Sequence, residues 1–152
     1  MKSGLMIETR GLTRTFGKLV AVNGLNLNVR HGSIHGFVGP NGAGKTTTMK
    51  MLTGSIRRTR GEGLVNGYSI GTLEARRSLG FAPEQPSFYE DMTAWDYLVY
   101  MAQLGGMKAD AARRRAKELV DWLGLADCHK SKVGAFSAGM KQRLSLGQAM
   151  AH

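Results

Sequence analysis

Leu25, Leu27 and Val29 alternate with Asn26, Asn28 and Arg30, the period-2 pattern of a half-buried strand. Asn23-Gly24 before this segment and His31-Gly32 after it are turn signals that bound it. Met6 to Phe16 mixes apolar and polar residues in the same strand-like way. Ser33 to Val38 is instead a short apolar run, the pattern of a buried parallel strand. It leads straight into a glycine-rich loop, and Thr46 to Leu52 after that loop reads as a helix ending near Gly54. Asn66-Gly67, within Gly63 to Ile70, is a hairpin turn signal, and Leu79 to Ala82 reads as one more short strand stopped by Pro83.

Beyond Pro83 the period changes. Thr93-Ala94-Trp95-Asp96 fits the capping pattern that starts a helix, which then runs toward Gln103. Ala112, Ala116, Leu119, Val120 and Leu123 fall on one helical face, closed by Gly124. A last helix begins near Ser137 to Met140, and its pattern continues to Ala151. Trp95 and Trp122 are expected on the apolar sides of their helices, as core residues.

The length of 152 residues suits one domain with a real core, and 42% hydrophobic residues is a globular composition. No stretch approaches 18 uninterrupted apolar residues, so no transmembrane helix is expected. Met1 to Glu8 has no apolar h-region, so an intracellular chain without a secretory leader is expected. Cys128 is alone, which excludes an internal disulfide framework and a cysteine-rich zinc site. His31 and His35 lie in strand and turn context, not on one helical face, and suggest no metal site. The net charge of +10 raises nucleic acid or an anionic membrane as partners. The basic residues, however, fall in separate groups: Arg57-Arg58 with Arg60, Arg76-Arg77, and Arg113 to Arg115 with Lys117. Such separate groups read mostly as solvated faces, with phosphate ligands or an anionic membrane surface as the alternative, and without aromatic interleaving no nucleic-acid partner is expected.

The chemistry is concentrated in Gly39-x4-Gly44-Lys45-Thr46, a full match to the phosphate-loop pattern. Glycines let the loop curl so that successive N–H groups face a triphosphate without side chains in the way. The following helix adds its free N–H groups and positive dipole end. Lys45 can reach the β- and γ-phosphates, and the Thr46 hydroxyl can ligate Mg²⁺. The match sits between an apolar run and a helix, where such a loop must sit.

Gly39-Pro40-Asn41-Gly42-Ala43-Gly44-Lys45-Thr46-Thr47 resembles the Walker A segment of ATP-binding cassette (ABC) ATPases. Phe136-Ser137-Ala138-Gly139-Met140-Lys141-Gln142-Arg143 resembles the signature motif of that family, and Gly80-Phe81-Ala82-Pro83-Glu84 its Q-loop. The order and spacing agree over essentially the whole chain, and the closest likeness is to cassettes of the ABC-2 exporter type. The resemblance implies an α/β phosphate-loop NTPase core with an inserted helical subdomain, incomplete at its C-terminal end. It divides the chain into a core over 1–85, a helical subdomain over 86–135, and the signature motif with its helix over 136–152.

By the same resemblance Phe16 would stack on adenine, and its alternative is a core aromatic beside a turn. Gly39, Asn41, Gly42, Ala43, Gly44, Lys45, Thr46 and Thr47 would hold the phosphates of ATP. Lys45 and Glu84 would act in catalysis, and Thr46 and Glu84 would hold Mg²⁺. Glu84 occupies a position usually held by Gln, and its alternative is a solvated loop acid. Ser137 and Gly139 would bind the γ-phosphate held by an opposite cassette, while Ser137 would serve equally as an ordinary N-cap. Phe136, Ala138 and Met140 stand where the family usually has Leu, Gly and Gln.

The family places an Asp and a catalytic Glu on a Walker B strand after the signature helix, and then a His. No counterpart precedes His152, so a truncated cassette with little hydrolysis of its own is expected. Its sheet would lack a central strand and leave apolar surface and an open edge. The function implied is that of the ATP-binding subunit of an exporter. It would pair with a second cassette and drive a separate membrane permease from the cytoplasmic face. A non-catalytic nucleotide-binding module and a nucleic-acid-acting ABC ATPase are the alternatives.

Overall fold

The computed structural model describes residues 4–151; the expectations resting on Met1 to Ser3 and on His152 lie outside the described residues. The chain forms two compact units, residues 1–79 and 80–152.

In the first unit, β1 (Leu5–Phe16) lies between β2 (Leu19–Arg30) and β3 (Arg60–Val65), and β4 (Tyr68–Ser69) pairs with β3. All three pairings are antiparallel. Asn66 and Gly67 turn the β3–β4 hairpin at φ values of 50° and 80°, the double left-handed turn their sequence signals. Leu25, Leu27 and Val29 are half-buried and their polar neighbours exposed, as the alternation predicts. Asn23-Gly24, by contrast, does not end the strand. Gly24 sits inside β2 opposite Gly11, where the register shifts and both glycines take positive φ. Side chains complete the ladder at this bulge. Asn26 Oδ1 accepts from Gly11 N at 2.8 Å, and Thr13 Oγ1 accepts from Gly24 N at 3.0 Å. A turn signal is absorbed by a bulge when neighbouring side chains satisfy the displaced N–H groups.

Two expected strands do not form. Ser33 to Val38 and Leu79 to Ala82 are irregular, and Ile34 and Val38 are 103% and 94% exposed. A parallel strand exists only between partners that accept its ladder bonds, and among the described residues no strand lies beside either segment. The core of this unit comes instead from Leu12, Val22 and Val65 of the sheet and Met51 and Leu52 of α1 (Lys45–Leu52). Ile70 and Ala75 close it, the latter from the short α2 (Leu73–Arg77).

The second unit packs α3 (Ala94–Leu104), α4 (Ala109–Trp122) and α5 (Ala138–Ala149) around Leu98, Leu119, Leu125, Val133 and Leu144. Thr93 caps α3, its Oγ1 accepting from Asp96 N at 3.1 Å. The predicted face of α4 is the buried one: Ala112, Ala116, Leu119 and Val120 are all inside. Gly147 lets α5 approach closely, since a Cβ there would stand 3.0 Å from Leu98 Cδ2. Two arginines cap helix C-termini across this packing. Arg143 Nη1 donates to the Leu123 and Gly124 carbonyls at 3.0 Å, and Arg115 Nη2 to the Met150 carbonyl at 2.9 Å. The last helix ends at Ala149, two residues earlier than its pattern suggests. Trp95 is half-buried against the core, but Trp122 is 66% exposed, contrary to expectation.

Tyr97 is buried in this core, meets Phe88 edge-on at 5.2 Å, and donates its hydroxyl to Gln148 Oε1 at 2.6 Å. Burial, and then the nearby phenols of Tyr89 and Tyr100, push its pKa above the ordinary tyrosine value of 10.0. Between the unfolded and folded pKa values only the native state keeps this proton. The contribution of Tyr97 is therefore whole below about pH 10 and is lost as pH rises above it. Tyr97→Phe should cost about 1 kcal/mol at neutral pH. It should also remove part of the alkaline loss in denaturant titrations from pH 8 to 11. An unchanged alkaline slope in the variant would contradict this account.

Candidate functional site

The phosphate loop is built from the backbone outward. Ala43 N donates to the Pro40 carbonyl at 3.2 Å, and Gly42 and Gly44 take φ values of 82° and 85°. Gly44 is the N-cap of α1 and presses against β2: a Cβ there would collide with the Ala21 carbonyl and stand 3.0 Å from Val22 Cγ2. Left-handed backbone and close approach both require glycine at this position. Having no side chain, Gly44 supplies no cap, and no acidic residue lies in the first turn of α1. The first-turn N–H groups of Lys45, Thr46 and Thr47 have no carbonyl one turn back to bond, so they remain for an outside anion. Thr48, Met51 and Leu52 are buried beneath and fix the helix on the sheet.

Lys45 Nζ donates to the carbonyls of Gly39 at 2.6 Å and Pro40 at 2.8 Å. An ammonium has three donors, so the charge is held over the loop with one donor still free for an anion. Thr46 is exposed at the head of α1, as are Asn41, Gly42 and Ala43, while Gly39 and Thr47 are half-buried. These residues, expected together, are together.

Phe16 lies at the end of β1 beside the Gly17 turn and is 43% exposed, which rules out the core alternative. The Arg14 guanidinium sits 4.2 Å from its ring centroid and is tethered by a 2.8 Å bond from Nη1 to the Arg57 carbonyl. The sequence reading missed Arg14. The signal was available, since positions i and i+2 of a strand share a face.

The other expected residues belong to the second unit. Ser137 is the N-cap of α5, its Oγ accepting from Met140 N at 3.3 Å, and it is exposed. Ala138 and Gly139 are exposed too, and a Cβ on Gly139 would meet nothing within 4 Å. No acidic residue lies in the first turn of α5. Phe136, just before the cap, is 6% exposed and anchors this end of the helix in the core. Glu84 is exposed on an irregular stretch, and among the described residues no hydrogen bond or ion pair engages it. No group of three or more His, Cys, Asp or Glu side chains that could hold a metal occurs among the described residues.

A family model described as ABC transporter matches residues 22–152. The linearmycin resistance ATP-binding protein LnrL of Bacillus subtilis is 34% identical over 149 residues, covering 97% of this chain and 48% of that protein. The bacitracin transport ATP-binding protein BcrA of Bacillus licheniformis is 40% identical over 149 residues, again covering 97% and 48%. The chain thus spans about half the length of these curated relatives. A solved ATP-binding subunit of an ABC transporter superposes with a TM-score of 0.84 at 28% identity, covering 96% of this chain and 62% of the other.

Proposed function

The chain belongs to the ABC transporter family, and on that premise we propose that it is the nucleotide-binding part of an exporter's ATP-binding subunit. The observation that carries this is the seat of Gly44 against the Ala21 carbonyl. It turns the uncapped head of α1 and the Lys45 ammonium toward one anion. The residues present fit a Mg-triphosphate: the unpaired first-turn N–H groups of Lys45, Thr46 and Thr47 for the phosphates, the Lys45 ammonium for the terminal charge, the Thr46 hydroxyl for Mg²⁺. Bound Mg²⁺ would supply neutralisation of the phosphate charge.

Lys45 would exchange the Gly39 and Pro40 carbonyls for phosphate oxygens, and its attraction would grow as negative charge builds on the leaving-group oxygen. Phe16 offers its exposed π-face to adenine while Arg14 covers and fixes the ring. Ser137 and Gly139, at the open head of α5, contact the γ-phosphate held by a second cassette, and Glu84 contributes at the Q-loop position. Closing of the two cassettes on ATP drives a separate membrane permease from the cytoplasmic face. Linearmycin resistance and bacitracin transport, named for the relatives, suggest an antibiotic as the type of cargo.

Thermal or denaturant unfolding of the full chain with Mg-ATP tests the premise of this reading. A hundredfold excess over Kd should add about 2.7 kcal/mol of stability. No stabilisation by Mg-ATP at saturating millimolar concentration would overturn it.

A further inference from the structure

Beyond the end of α1, the first unit holds a cavity of about 630 Å³ lined by Arg57, Arg58, Arg60 and Arg76 together with the hydroxyl residues Ser55 and Thr59. None of its lining residues is acidic. Five ion pairs occur among the described residues, and none involves these four arginines. Two of them are held by backbone carbonyls. Arg58 Nε donates to Gly61 O at 2.8 Å and its Nη1 to Ile70 O at 3.4 Å, while Arg76 Nη2 donates to Gly54 O at 3.0 Å. Arg57 and Arg60 engage no partner through their side chains among the described residues, so their forks are free.

One effect opposes an anion here. The C-terminus of α1 ends at this cavity, with Met51 and Gly54 in its wall, and carries roughly half a negative charge. Four full positive charges outweigh it, and Arg76 already occupies the Gly54 carbonyl. Four guanidinium groups without a carboxylate partner repel one another, and closely spaced phosphates would match their planar forks. The volume lies within the range of small-ligand sites.

We propose that this cavity is a second anion site, separate from the phosphate loop, which takes closely spaced phosphate groups on Arg57, Arg58, Arg60 and Arg76. The phosphates can be free in solution or carried on a lipid headgroup. Recognition here is by side-chain forks, whereas the phosphate loop uses backbone N–H groups, so the two sites separate by mutation. The proposal does not depend on the transporter reading.

Calorimetric titration of the full chain with inorganic tripolyphosphate, at 150 mM salt and in a Lys45→Ala background, reads the second site with the phosphate loop weakened about a hundredfold. Arg57→Ser with Arg60→Ser should weaken binding at least tenfold, since each removes a charge-assisted contact. Arg57→Ser by itself removes a side chain with no structural bond and should weaken it by several-fold. Arg114→Ser with Lys117→Ser removes the same charge from exposed positions of α4 and should leave binding unchanged. A parallel arm compares vesicles of phosphatidylcholine with and without cardiolipin. Arginine-dependent capture by cardiolipin vesicles alone assigns a headgroup; arginine-dependent binding of tripolyphosphate assigns a soluble ligand. Binding that survives the Arg57 and Arg60 changes, that falls equally in the α4 control, or that is missing from both arms would overturn the proposal.

Discussion

Lys45→Ala is expected to weaken Mg-ATP binding about a hundredfold and to remove most hydrolysis from the complete subunit. The ammonium is held at 2.6 and 2.8 Å from the Gly39 and Pro40 carbonyls, so its charge is already placed over the loop. A hydrogen bond to a charged group contributes about 1.5–3 kcal/mol, and loss of a single contact to each of two phosphates spans roughly two to four decades in affinity. Stability without nucleotide should change little, because the two carbonyls lost as acceptors lie where water can replace the ammonium. The readout is the unfolding midpoint with and without Mg-ATP in an Arg57→Ser, Arg60→Ser background, where a hundredfold weaker Kd should cut the increment from about 2.7 to about 0.4 kcal/mol. Lys45→Arg should not restore it, since a planar fork cannot reproduce a compact ammonium between two adjacent carbonyls. Equal stabilisation of parent and Lys45→Ala protein would mean that the loop binds without its lysine, contrary to the proposed mechanism.

Elements whose determinants lie within a few residues were legible in the sequence. The Asn66-Gly67 hairpin, the Thr93 cap with Asp96 and the α4 face need only local spacing. The phosphate loop was legible for the same reason, as nine consecutive residues carry its geometry. What the sequence could not supply was non-local pairing. Ser33 to Val38 has the composition of a parallel strand, yet composition provides no partner, and Ile34 and Val38 stand in the open. The Asn23-Gly24 signal was locally correct about the backbone and wrong about the consequence, because Thr13 and Asn26, from different strands, make a bulge there. Trp122 belongs to α4 but not to its buried stripe. At 100° per residue it lies roughly 100° from the centre of the Ala112–Leu123 stripe, on its flank rather than on it. The seat of Gly44 on Ala21 is likewise invisible in the motif, which states that glycine is needed but not what it must clear.

Phe136→Ala is expected to destabilise the second unit by about 3–5 kcal/mol, the cost of emptying an aromatic site in a packed core. The residue is 6% exposed, and its N–H donates to the Val133 carbonyl at 3.0 Å. It joins the 3-10 turn Val133–Ala135 to the head of α5. Phe136→Leu keeps an apolar side chain of fair size and should cost under about 1.5 kcal/mol. Ser137→Ala, one position on, removes a cap worth about 1 kcal/mol and leaves the core intact. The three variants therefore separate two jobs within adjacent residues. Phe136 holds the end of the helix in place, and Ser137 faces out from it. Denaturant unfolding of the full chain should rank Phe136→Ala far below Phe136→Leu, with Ser137→Ala close to the parent. The head of α5 would then be a rigid platform whose exposed Ser137 and Gly139 can meet a phosphate without refolding. A Phe136→Ala midpoint within about 1 kcal/mol of the parent would mean that the anchor lies elsewhere, and the pre-formed platform would lose its support.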